Sequence, residues 1–112
     1  MGWLSRLFPG SKKPDKKPAV AQAKTPKGET IPPFRVGLNG EYDDSGLAKR
    51  VALAFDEDSQ LDDISTLWVA QLSSKVVLKG KVPTKASLDR AVSVARGVEG
   101  ATEVDASQVE VD

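Results

Sequence analysis

Six of the seven prolines, Pro9, Pro14, Pro18, Pro26, Pro32 and Pro33, crowd the first third of a 112-residue chain. Proline removes an amide donor and holds the backbone extended, which excludes a helix interior or a central strand from that stretch. The ordered body has to come from the residues beyond it, a length that admits one small domain. The chain therefore divides into a short amphipathic docking peptide (1–9), a disordered, basic, Pro-rich linker (10–33), a connector or docked arm (34–43), and a folded domain (44–112).

Charge follows the same division. The formal net charge is zero, yet residues 1–28 carry Arg6, Lys12, Lys13, Lys16, Lys17, Lys24 and Lys27 against Asp15 alone, which leaves the body acidic. A cationic tail suits an anionic lipid surface, a nucleic acid or an acidic protein face; a solvated tail with no partner is the plain alternative. Nucleic acid is disfavoured, because the acidic body repels phosphate and carries no base-reading motif.

Ahead of the linker, Trp3, Leu4, Leu7 and Phe8 fall on one side of two helical turns, with Arg6 beside them. So short a helix does not hold itself together in water, which predicts folding on a surface. Large apolar groups followed by Lys12, Lys13, Lys16 and Lys17 fit an interfacial anchor on an anionic membrane. The same residues fit a hydrophobic groove on a protein partner, and packing on the chain's own domain remains open. Pro9 and Lys12 interrupt the apolar run too early for a secretory signal, and Arg6 stands where a myristoylation motif wants Ser or Thr. No window reaches the length of a membrane span. The expected location is cytoplasmic, with any membrane contact peripheral and on the inner face.

The body reads as helix, strand, strand, helix, strand. Asp43, Asp44 and Ser45 can cap a helix with Leu47, Val51, Ala54 and Phe55 on its apolar side and Lys49 and Arg50 on the other. It should end near Asp56, where Asp56, Glu57 and Asp58 make a solvated acidic turn without the ligand ladder of a calcium loop. Segments 66–72 and 75–82 alternate as strands around Ser73 and Ser74, an antiparallel hairpin whose lysines, Lys79 and Lys81, face outward. Trp68 shares its phase with Ala70 and Leu72, so it points either into the core or out as a ligand platform. Thr84 or Ser87 caps a second helix with Leu88, Ala91, Val92 and Ala95 as its stripe, and Gly97 or Gly100 stops it. A last strand runs through Thr102, Val104, Val109 and Val111, irregular around residues 105–108. In Phe34, Val36 and Leu38, alternation competes with the turn residues Gly37, Asn39 and Gly40, which leaves 34–43 as arm or connector.

Val76, Leu78, Gly80 and Val82, followed by an Ala-bearing helix and the step from Gly100 to Val104, resemble the BON domain, a small bacterial binding module, over residues 44–111. Ala101 replaces a usual Val, Ser73, Ser74 and Lys75 stand where the hairpin usually has Gly, and Asp105 takes a place where Asn is frequent. The resemblance implies an α+β fold, α-β-β-α-β, with a three-stranded sheet packed on two helices. It also implies a non-enzymatic role in phospholipid contact, envelope maintenance or osmotic stress, with potassium sensing in some cytoplasmic members. Gly80 carries over as a structural position, where a side chain would obstruct packing between sheet and helix, and Gly100 as the structural glycine of the last turn.

The chain contains neither Cys nor His, which removes thiolate chemistry, disulfides and the commonest metal ligand and general base. Adjacent carboxylates such as Asp62 and Asp63 read as loop charges. We therefore expect no enzyme, no metal and no cofactor. The leading expectation is an adaptor whose N-terminal peptide docks to a membrane or a larger assembly while the domain binds a second partner of unassigned identity. The alternatives are an ion- or phospholipid-sensing module and a docking subunit without lipid contact.

Overall fold

The period-two pattern of the hairpin organises the molecule. In a computed structural model that describes residues 3–8, 24–25, 27–61 and 63–111, β1 (Leu67–Leu72) and β2 (Lys75–Val82) pair antiparallel, with Leu67 opposite Gly80, Val69 opposite Leu78 and Leu72 opposite Lys75. Leu67, Val69, Val76, Leu78 and Val82 are buried, as alternation places them on one side of the pleat. Two residues make the turn, and Ser73 takes φ 55° there, in the left-handed region that favours Gly.

Helix α2 (Gly46–Asp56) and helix α3 (Lys85–Arg96) lie on the buried side of the sheet. Leu47, Val51, Phe55, Ala91 and Ala95 join the strand residues in one core. The Thr84 hydroxyl accepts the Ser87 amide at 3.1 Å, so Thr84 is the cap of α3. At α2 the Ser45 side chain makes no capping bond; the Ala48 amide instead donates to Gln71 Oε1 at 2.8 Å and the Ser45 amide to Asp43 Oδ1 at 2.9 Å. Strand β3 (Glu103–Val111) returns parallel to β2, giving the order β1-β2-β3. A bulge opposite Leu78, where Asp105 Oδ1 accepts the Ser107 amide at 2.9 Å, accounts for the irregularity expected in this strand. The α-β-β-α-β order and three-stranded sheet are those expected.

Residues 34–43 form a docked arm. A short 3-10 turn (Pro33–Arg35) leads into Val36, which bridges to Tyr42 and is buried with Leu38. Ile31, read from sequence as linker, is also buried against Val36. The tie is Arg50, placed by helical spacing on the open side of α2 but only 7% exposed. Its Nε donates to the Val36 carbonyl at 2.8 Å, its Nη1 to the Glu99 carbonyl at 2.6 Å and its Nη2 to the Pro33 carbonyl. The arm and the turn before β3 wrap over that side of α2 and convert an amphipathic helix into one covered nearly all round. Burial lowers the guanidinium pKa, with the Glu99 charge partly offsetting it. At Gly100, φ is 103° and an added Cβ would sit 2.8 Å from Pro33, so this structural glycine lets the arm approach.

The acidic turn after α2 is held from α3. Arg90 donates through Nε to Asp58 Oδ2 at 2.8 Å, and its Nη2 lies 2.6 Å from the same oxygen. That bond holds the Asp58 carboxyl below the usual range.

Replacing Arg50 by Met keeps the bulk and removes the donors to three carbonyls. Arg50→Met should lower unfolding stability by about 2–4 kcal/mol and speed amide exchange at Gly37 and Asp43, measured by urea melts and hydrogen exchange.

Candidate binding surface

The far side of the sheet from the helices is open, and the strand register arranges it in rows. β1 contributes Trp68, Ala70 and Leu72; β2 contributes Lys75, Val77, Lys79 and Lys81; β3 contributes Glu103, Asp105, Gln108 and Glu110. Trp68 is 50% exposed and Leu72 68% exposed. The choice left open by sequence is thus settled outward, with Ala70 and Leu72 following in phase.

Charge across this face is graded. Lys75 lies 3.6 Å from both Glu103 and Asp105, and Lys81 lies 3.9 Å from Glu110. Lys79, opposite Trp68 on one side and Gln108 on the other, has no acidic partner among the described residues. The β3 side is therefore ion-paired, and the β1 side is apolar with an unpaired cation.

Gly80 fixes this arrangement. Its φ is 114°, and an added Cβ would collide with the Thr66 carbonyl, which already accepts the Lys81 amide at 3.0 Å. The expected obstruction between sheet and helix is instead backbone against backbone at the mouth of the hairpin.

The N-terminal peptide lies beside the same face. Helix α1 (Trp3–Leu7) packs against α2, and Trp3 is 1% exposed. Its ring meets Phe55 edge-on with centroids 5.1 Å apart, and its Nε1 donates to the Leu61 carbonyl at 3.0 Å. Leu7 and Phe8 are half-buried against the core, with Lys49 Nζ 5.8 Å from the Phe8 ring centre; Leu4 belongs to α1. The surface on which this peptide folds in the structure is its own domain, the alternative that the sequence left open beside a membrane or a partner groove. The groove is assembled from α2 and the loop after it, far along the chain from Trp3. Lys12, Lys13, Lys16 and Lys17 lie outside the described residues, as does the linker reading for 10–23.

Arg6 joins peptide and face. Its guanidinium carbon lies 4.5 Å from the Trp3 ring centre and 5.2 Å from that of Trp68, and its Nη2 donates to the Leu67 carbonyl at 2.8 Å. Nη1 is buried without an acceptor, and desolvation lowers the guanidinium pKa. Two cation–π contacts, at about 0.5–1 kcal/mol each, are opposed by an unmet donor costing about 1–3 kcal/mol.

Among the described residues no group of His, Cys, Asp or Glu could hold a metal ion, and no helix is long and apolar enough to cross a membrane. A sequence model of the BON domain matches residues 43–112. The chain belongs to the BON domain family. A curated relative, the 21 kDa hemolysin of Actinobacillus pleuropneumoniae, is 36% identical over 64 residues, which cover 57% of this chain and 33% of the relative. The chain thus matches about a third of that relative's length. BON domains are binding modules rather than catalysts. Within this BON domain, Leu72, Ala70 and Gln108 complete a face of which sequence reasoning had named Trp68, Lys79 and Lys81.

Because α1 is tethered, truncating Trp3 can release the peptide instead of leaving a void. Trp3→Ala should cost no more than about 2 kcal/mol, less than the roughly 3–5 kcal/mol of a trapped core aromatic, by urea denaturation of the full chain.

Proposed function

We propose that this BON domain is a non-catalytic module that attaches peripherally to anionic phospholipid surfaces through the β1 side of its open sheet face. The observation that carries the reading is the pairing of an exposed Trp68 with an unpaired Lys79, continued along β1 by Ala70 and the protruding Leu72. A tryptophan at headgroup depth, an aliphatic side chain beyond it and a lysine at the phosphate level match the layering of a bilayer interface. Each lysine near such a surface adds about 1 kcal/mol. The acidic body opposes approach in general, but its acids on this face lie toward β3 and are already paired with Lys75 and Lys81. A relative named for haemolysis, an effect on a membrane, agrees with a lipid-facing role; lysis itself is not carried to this chain.

The peptide at 3–8 borders the same face, so the two attachments of the adaptor reading merge into one surface. A hydrophobic groove on a protein partner is a weaker account, since the domain itself supplies the groove for Trp3. Ion sensing is also weaker: the converging carbonyls of Pro33, Val36 and Glu99 hold the Arg50 guanidinium.

Co-sedimentation with phosphatidylglycerol and phosphatidylcholine vesicles tests the reading. The full chain should sediment with the anionic vesicles only, less so at high salt. Trp68→Ala, Leu72→Ser and Lys79→Glu should each weaken binding about tenfold, equivalent to about 1.4 kcal/mol, and Arg96→Glu on α3 should not. Equal binding by all four variants, or none by the full chain, would refute it.

A further inference from the structure

Helix α1 is held by contacts that do not all agree. Its five residues are too few to stay helical in water, so its conformation depends on docking. Trp3 anchors it through Phe55 and the Leu61 carbonyl. Arg6 lies between the Trp3 and Trp68 rings, with Nη2 satisfied by the Leu67 carbonyl and Nη1 buried without any acceptor. Among side-chain nitrogens and oxygens of the described residues, this is the one buried atom lacking a partner. A charged donor so placed favours any arrangement that brings it an anionic oxygen. It also touches the ring through which the domain is assigned to meet lipid.

We propose that α1 is an exchangeable clip: docked on α2 and Trp68 in water, it transfers to the bilayer when a lipid phosphate takes the Arg6 guanidinium. The inference rests on the phospholipid reading of the sheet face and adds its switch. In the docked state, Arg6 covers part of the Trp68 ring and Trp3 fills the groove beside Phe55 and Leu61. In the bound state, Arg6 follows the headgroup, Trp68 is uncovered for insertion, and Trp3, Leu7 and Phe8 exchange the groove for the acyl boundary. The apolar side chains leave one apolar environment for another, so the transfer requires no hydration of Trp3 in its final state. The unmet Nη1 supplies the bias, because the phosphate offers what the seam lacks. Headgroup binding and α1 docking are then mutually exclusive, and lipid shifts a pre-existing equilibrium.

The chain contains two tryptophans, Trp3 and Trp68, so the full protein labelled with 5-fluorotryptophan gives one fluorine resonance for each; Trp3→Phe assigns them. Phosphatidylglycerol bicelles should move both resonances. Phosphatidylcholine bicelles and inorganic phosphate should leave the Trp3 resonance in place. Arg6→Gln should abolish the Trp3 shift while retaining the Trp68 shift. Movement of Trp68 alone in the unsubstituted protein would overturn the clip and leave the sheet-face reading standing. Movement of Trp3 alone would refute the sheet-face reading and with it the clip, whose release uncovers Trp68, and movement of neither would overturn both. A Trp3 shift with inorganic phosphate would overturn the transfer to the bilayer, and one that survives Arg6→Gln would overturn the phosphate trigger.

Discussion

The pairing of β1 with β2 decides what this protein can bury and what it can present. With Leu67 opposite Gly80 and Val69 opposite Leu78, every large aliphatic of the hairpin core lies on one side, and Trp68 and Lys79 lie together on the other. A slip of one residue would exchange the two sides. The register is pinned at the open end by the close approach of Gly80 to the Thr66 carbonyl. The Thr66 hydroxyl donates to the Lys81 carbonyl at 2.7 Å and the Lys81 amide bonds back to Thr66 at 3.0 Å. The helices then have one face to cover, and β3 one edge to join.

Around that frame, polar side chains reach between segments distant in sequence. Gln71 is the compact case: its Oε1 accepts from the start of α2, while its Nε2 donates to the Phe34 carbonyl at 2.9 Å and to the Ser73 carbonyl at 2.9 Å. Arg50 does the same for the arm and the turn before β3. Such ties cost desolvation and return it through several bonds per side chain, which keeps the arm in place although it contributes few large apolar groups. Arg6 is the contrasting case, a buried guanidinium with one nitrogen left over. The contrast is between ties whose donors are met, at Gln71 and Arg50, and a seam at Arg6 where one is not.

Much of the frame was legible because its signals are local. The hairpin reads from alternation over adjacent residues, Thr84 as a cap from its position before an apolar stripe, and the bulge in β3 from the broken alternation around Asp105 and Ser107. Gly80 was legible as a required glycine, but the group it must avoid was not, since Thr66 reaches it only through the pairing. Arg50 was misplaced because helical spacing describes one element, and its partners lie 14, 17 and 49 positions away. The choice for Trp3 between a membrane, a partner groove and its own domain stayed open for the same reason: Leu61, its hydrogen-bond acceptor, is 58 positions distant. On the open face, Trp68 was ambiguous because Ala70 and Leu72 in its phase suit either side of a sheet.

The central claim is that lipid meets the β1 side of the open sheet face. Backbone amide relaxation of the full chain on phosphatidylglycerol bicelles carrying a gadolinium-chelating lipid maps depth along the chain directly. The account predicts the strongest broadening at residues 68–72 and at Lys79 and Lys81, with the outer side of α3 unaffected. Broadening centred on α3, or spread evenly over the domain, would contradict it.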